Sequence, residues 1–176
     1  MNNLVDFFMF TLFVSLSQEI ELDFCVGDTT LPRGPKEFSC NKDYSNVTAH
    51  DFIFTGFRHE SFTANLFRSN VTLGFVDNFP DFNGLDNSMA RLDFAVGGVI
   101  PVHSTSEVII LTRGSIIVGF IDASNNAFYK RLEDGDVMIF PQTMLHFQIN
   151  VGRTPSTAIV SLNGANPVVQ FATTSL

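Results

Sequence analysis

Residues 107–140 read EVIILTRGSIIVGFIDASNNAFYKRLEDGDVMIF, four short apolar runs separated by three turn signals. The runs cover 107–111, 115–121, 127–132 and 137–140, and the breaks fall at Arg113-Gly114, at 122–126 and at 133–136. Runs this short, about ten residues apart and joined by Gly, Asn and Asp, predict strands linked by hairpins. Outward from this stretch the same pattern predicts strands at 71–75 and 90–96 before it and at 146–150 and 157–162 after it. Val108, Ile109, Ile110 and Leu111 are apolar on both alternating sets, which places their strand between two layers. The expected class is all-β, a closed or double-sheet architecture such as a jelly-roll barrel, with little helix.

The chain has 176 residues, 45% of them apolar and 20 of them Phe, enough for one domain with a substantial core. Its net charge of -8 comes with no cluster of Lys or Arg, which argues against a nucleic-acid partner, because phosphate neutralisation needs a basic surface. The first residues, MNNLVDFFMFTLFVSLSQEIE, carry an apolar stretch from Phe7 to Leu16 with Ser15 and Ser17 before Gln18. That is the pattern of a secretory signal peptide over residues 1–17, although no Lys or Arg precedes it and Asp6 interrupts its start. About ten apolar residues fall short of the roughly 20 needed to cross a bilayer, so no membrane span is expected.

Export changes how the next segment reads. Cys25 and Cys40 form an even pair, which in an exported chain suggests a disulfide, the alternative being two free buried thiols. Closing that loop contributes on the order of 3 kcal/mol by chain entropy. Residues 18–50, with Pro32 and Pro35, read as an irregular arm stapled to a barrel over 51–176. Asn46-Val47-Thr48 and Asn70-Val71-Thr72 are acceptors for N-glycosylation at Asn46 and Asn70.

Of four histidines, only His103 and His146 sit in strongly apolar surroundings. His103 precedes Glu107 by four residues in GGVIPVHSTSE, and His146 follows Asp136 by ten. Adjacent strands of one barrel can aim all three side chains inward, where imidazoles and a carboxylate suit Mn, Fe or Zn. A buried Glu without a partner is costly, so Glu107 calls for a cation or an ion pair. The alternative is a core histidine satisfied by an ordinary hydrogen bond, and the spacing alone leaves both open.

Three segments carry a resemblance. Asp23-Phe24-Cys25-Val26, Ala90-Arg91-Leu92-Asp93 running on to Gly97-Gly98-Val99-Ile100-Pro101-Val102-His103, and Gly135 to Pro141 through His146-Phe147-Gln148-Ile149-Asn150 resemble the plant germin-like proteins of the cupin superfamily. The nearest likeness is to the branch named for auxin binding, and it runs from about Asp23 to Leu162. The resemblance implies a secreted apoplastic glycoprotein with an N-terminal disulfide, a cupin jelly-roll barrel, and manganese held by three histidines and a glutamate. Carried over, His103, Glu107 and His146 match three of the four metal ligands. It also implies oxalate oxidation or superoxide dismutation, or else auxin binding or a storage (nutrient reservoir) role, in a homo-oligomer.

The chain departs from the family pattern in three places. Where the family has His-x-His, a turn with Pro-Gly and then Glu, this chain has His103-Ser104-Thr105-Ser106-Glu107, without the second histidine and about three turn residues. Neither His59, in a polar loop, nor His50, beside a sequon, has a fixed relation to the box. The expected site therefore has three protein ligands completed by water, or holds metal weakly or not at all. The chain ends at NGANPVVQFATTSL, before a strand and helical segment that pack between subunits in the family, which argues against the homo-oligomer. Asp134-Gly135-Asp136 stands where Lys or Arg often opens the second box. Three readings follow: a manganese oxidoreductase acting on superoxide or a small carboxylate, a secreted protein that binds a carboxylate such as auxin or serves as a store, or a degenerate chain that folds poorly.

Overall fold

The computed structural model describes residues 24–34, 38–40 and 44–172, so the expected signal peptide lies outside the described residues. Ten strands follow in order: β1 (Ser69–Gly74), β2 (Asn87–Phe94), β3 (Val99–Ser104), β4 (Glu107–Arg113), β5 (Ser115–Ile121), β6 (Ala127–Glu133), β7 (Val137–Phe140), β8 (Leu145–Asn150), β9 (Ser156–Asn163) and β10 (Gln170–Phe171). The described helix is limited to two three-residue 3-10 turns, Tyr44–Asn46 and Pro80–Phe82.

The strands form two five-stranded antiparallel sheets, in the orders β1-β2-β9-β4-β7 and β10-β3-β8-β5-β6. The all-β double-sheet expectation is met. Inward residues of both sheets interleave as one core: Leu92, Phe94, Ile109, Leu111, Phe140 and Val160 from the first, and Ile100, Ile116 and Val118 from the second. Burying each such side chain is worth about 1.5–3 kcal/mol, which is why strands of four to eight residues hold without helices on their faces.

The expectation that β4 is covered on both faces fails. Ile109 and Leu111 are fully buried, while Val108 and Ile110 are 41% and 39% exposed. Their cross-strand partners on the edge strand β7, Ile139 and Val137, are exposed as well. An apolar outer face misled the reading, because no described element packs on that side. A strand at His103 is expected from the sequence without bounds, because Pro101 interrupts its pattern, and β10 escapes notice because it is only two residues long.

The arm is irregular where described, and Cys25 and Cys40 are joined in a disulfide with Cα atoms 5.1 Å apart. Asn83 fastens it to the barrel: its Oδ1 accepts from Phe38 N and its Nδ2 donates to Phe38 O, at 2.9 and 2.8 Å. Phe38 is buried beneath this clamp. At the entrance to β3 the chain runs close to residues 67 and 68, with Val99 N donating to Phe67 O and Ala95 N to Arg68 O. A Cβ on Gly98 would lie 2.3 Å from Arg68 O, so only glycine fits there.

Candidate metal centre

His103 reaches the interior through an irregularity in β3. The β3–β8 register runs Val99↔Ile149, Ile100↔Gln148 and then His103↔His146, three residues on one strand against two on the other. Simple alternation would put Val102 opposite His146 and turn His103 outward. The bulge at Pro101-Val102 restores His103 to the inner face, and Pro101 has no N–H for the disrupted ladder to strand. The two imidazoles then lie side by side, ring centroids 4.1 Å apart, and Phe140 stacks on His146 at 4.3 Å.

Glu107 arrives from the other sheet. It opens β4, paired with Phe140 and Leu162, and shares its inward face with Ile109 and Leu111. Only Thr105 and Ser106 separate β3 from β4, yet this short connection brings Glu107 Oε2 within 4.0 Å of His103 Nε2 and Oε1 within 3.4 Å of His146 Nε2. Candidate donor atoms of the three residues all lie within 4.8 Å of one another, and all three residues are buried.

The hydrogen bonds at the back of each ring decide what the front offers. His103 Nδ1 is 2.8 Å from Pro101 O and His146 Nδ1 is 2.9 Å from Met144 O. A carbonyl only accepts, so Nδ1 donates in both rings and each neutral ring presents the lone pair of Nε2 to the cluster. Burial first, and His146 beside it second, hold the His103 pKa below the ordinary imidazole value despite the opposing pull of Pro101 O and Glu107. His146 Nε2 is buried and has no hydrogen-bond partner. Two ring nitrogens and a carboxylate thus converge on one buried point, and a divalent metal fits that donor set.

Gln148 is a residue that sequence reasoning missed. It is fully buried, lies two positions after His146 on the same inward face, and donates from Nε2 to Glu107 Oε1 at 3.0 Å. The i, i+2 spacing from His146 was the available signal. His50 and His59 are both exposed and stand outside the cluster. Asn46 is exposed, whereas Asn70 is half-buried on β1 and donates from Nδ2 to Phe62 O.

A cavity of about 320 Å³ opens beside the cluster. His103, Glu107 and Gln148 form its polar end, and the rest of its wall is apolar, from β1, β2, β9 and the segment leading into β10. A second, shallower groove of about 360 Å³ shares Val71, Ile100 and Phe171 with it.

A family model described as Cupin matches residues 57–176. The auxin-binding protein ABP20 of Prunus persica is 45% identical over 167 residues, spanning 93% of this chain and 78% of that protein. Germin-like protein subfamily 3 member 3 of Arabidopsis thaliana is 41% identical over 168 residues, 94% of this chain and 79% of that protein. Among solved structures, recombinant oxalate oxidase in complex with glycolate superposes with a TM-score of 0.80 at 29% identity, covering 87% of this chain and 79% of that one. With the two-sheet barrel, the inward cluster and relatives alike over most of their length, the chain belongs to the germin-like proteins of the cupin family.

Proposed function

We propose that the protein is a secreted germin-like metalloprotein that binds one manganese ion through His103, Glu107 and His146 and performs oxidoreductase chemistry of the superoxide dismutase or oxalate oxidase type. The observation that carries it is the buried Nε2 of His146, which has no hydrogen-bond partner and is aimed with His103 Nε2 at the Glu107 carboxylate. Both histidines give Nε2 because their Nδ1–H groups are committed to Pro101 O and Met144 O. Gln148 steadies the carboxylate, and the Phe140 ring walls water away from His146. When bound, manganese supplies one-electron redox capacity and positive charge, and three protein donors leave positions for a small ligand.

Metal analysis of the purified, manganese-loaded protein tests the reading, followed by dismutase and oxalate assays. Near-stoichiometric metal that disappears in His146→Ala is the expected result. Less than about a tenth of an ion per chain, with no activity in either assay, overturns it.

A second reading has its own support in the apolar wall of the cavity and in a relative named as auxin-binding. In it the protein is a non-enzymatic apoplastic binder of auxin or a similar carboxylate, or a storage protein, with metal serving only as an anchor. The disulfide and the exposed sequon at Asn46 accord with an extracellular glycoprotein in either case. Auxin titration with and without chelator separates the two readings.

A further inference from the structure

We infer that the shallower groove is the seat of a sugar: the first N-acetylglucosamine of a glycan carried on Asn70, packed against Phe67. The inference rests on the secretion reading above, because a sequon is used only in a chain that enters the secretory pathway. Asn70 is part of the groove's own wall, together with Phe67, Ile100, Pro101 and Phe171. Phe67 stands three positions before Asn70, and in an uninterrupted strand residues three apart face opposite sides. Arg68, at φ 53° in the left-handed region, turns the chain between them just before β1, and both residues wall the groove.

The acceptor amide is held in place. Its Oδ1 accepts from Val71 N and its Nδ2 donates to Phe62 O. Nδ2 carries two hydrogens, so one remains for exchange. In the transfer Nδ2 loses that proton and bonds the anomeric carbon of a lipid-diphosphate oligosaccharide, whose bond to the diphosphate breaks, the electron pair leaving with the phosphate. The surroundings fit the product. Phe62, Phe67 and Phe171 are 75%, 50% and 44% exposed, and aromatic surface left open in this way marks a place that something covers. A pyranose turns a face of C–H groups to an aromatic ring and its hydroxyls to water. It therefore strands no polar group in the groove, where the Ser69 hydroxyl is already spent on Val99 O. At roughly 30 Å³ per water in the liquid, about 360 Å³ holds about twelve small groups, the size of one N-acetylhexosamine.

The test uses the full chain with Asn46→Gln, which leaves Asn70 the only sequon. It is expressed in eukaryotic cells behind its own leader and, separately, behind a foreign one. Export behind the foreign leader alone overturns the secretion reading, while the exported protein still decides this inference. Peptide mass spectrometry should find Asn70 modified in most exported chains, and a bare Asn70 overturns the inference. Trimmed by endoglycosidase to its first sugar, the protein should melt about 2–4 °C above the same chain made without glycan in a bacterial periplasm. Phe67→Ala should remove at least about half of that gain, since ring and sugar act as a pair. A gain that is absent, or that persists unchanged in Phe67→Ala, overturns the inference. Should Phe67→Ala fail to melt cooperatively, Phe67→Leu, which keeps apolar bulk and removes the ring, carries the same expectation. A groove filled by a second copy of the chain would appear in sedimentation as a dimer of the glycosylated protein that Phe67→Ala dissociates, and that result also overturns the inference.

Discussion

Glu107 bears two incompatible demands. As a buried carboxylate steadied by one hydrogen bond from Gln148 it weakens the folded chain when no cation is bound, and as a metal ligand it is the one anionic donor of the cluster. Glu107→Gln should therefore stabilise the chelator-treated protein by on the order of 1–2 kcal/mol, raising its melting temperature, while abolishing manganese binding. Thermal denaturation in chelator beside a metal titration checks both halves, and a variant less stable than the parent in chelator contradicts the first. Gln148→Leu removes the donor to Glu107 Oε1 without touching a ligand atom. Its expected effect is a loss of about 10- to 100-fold in metal affinity, read by competition with a fluorescent chelator.

At the scale of elements, the hairpins explain themselves locally. Between β5 and β6, Asp122 Oδ1 accepts from the backbone N–H groups of Ser124 and Asn126, and Oδ2 accepts from the Asn126 side chain. These bonds, Asn126 foremost, hold the Asp122 pKa below the ordinary carboxylate value. A carboxyl lowered on folding contributes stability above its unfolded pKa and loses it as the pH falls through the folded value. Asp122→Ala should thus melt below the parent at pH 6, and the gap should close on acidification below pH about 3.8. A gap that persists at pH 2.5 rules the charge out as its cause. Turns of this kind made the strands from 107 to 140 legible from sequence, since each is set by residues within a few positions of it. His103, Glu107 and His146 were legible as residues but not as a cluster, because their meeting depends on which strands pair. Gln148 stayed hidden for a related reason: a glutamine in an alternating strand looks solvent-facing until its neighbour His146 is known to point inward. The outer faces of β4 and β7 misread in the opposite direction, their aliphatic pairs being indistinguishable in sequence from buried ones.

For the whole molecule, the arm is closed on itself by the Cys25–Cys40 disulfide, and its described residues meet the barrel at Phe38 and the Asn83 clamp and at Gly27, whose N donates to Pro80 O. The 15-residue separation sets a contribution of about 3 kcal/mol from the bridge. In a Cys25→Ser, Cys40→Ser variant, limited proteolysis should cut first within the arm while a fragment beginning near residue 51 survives. Simultaneous degradation of both would show instead that the arm is integral to the core. The β3 bulge reaches further than its size. Because Pro101-Val102 is one residue more than the ladder needs, the inward aim of His103 is fixed by the count of residues after Ile100 rather than by their chemistry. Val102 can be exchanged for many side chains at little cost to the site, whereas one residue inserted between Ile100 and His103 shifts the phase and points an unaltered histidine at the solvent. The centre is thus tolerant of spelling and intolerant of length.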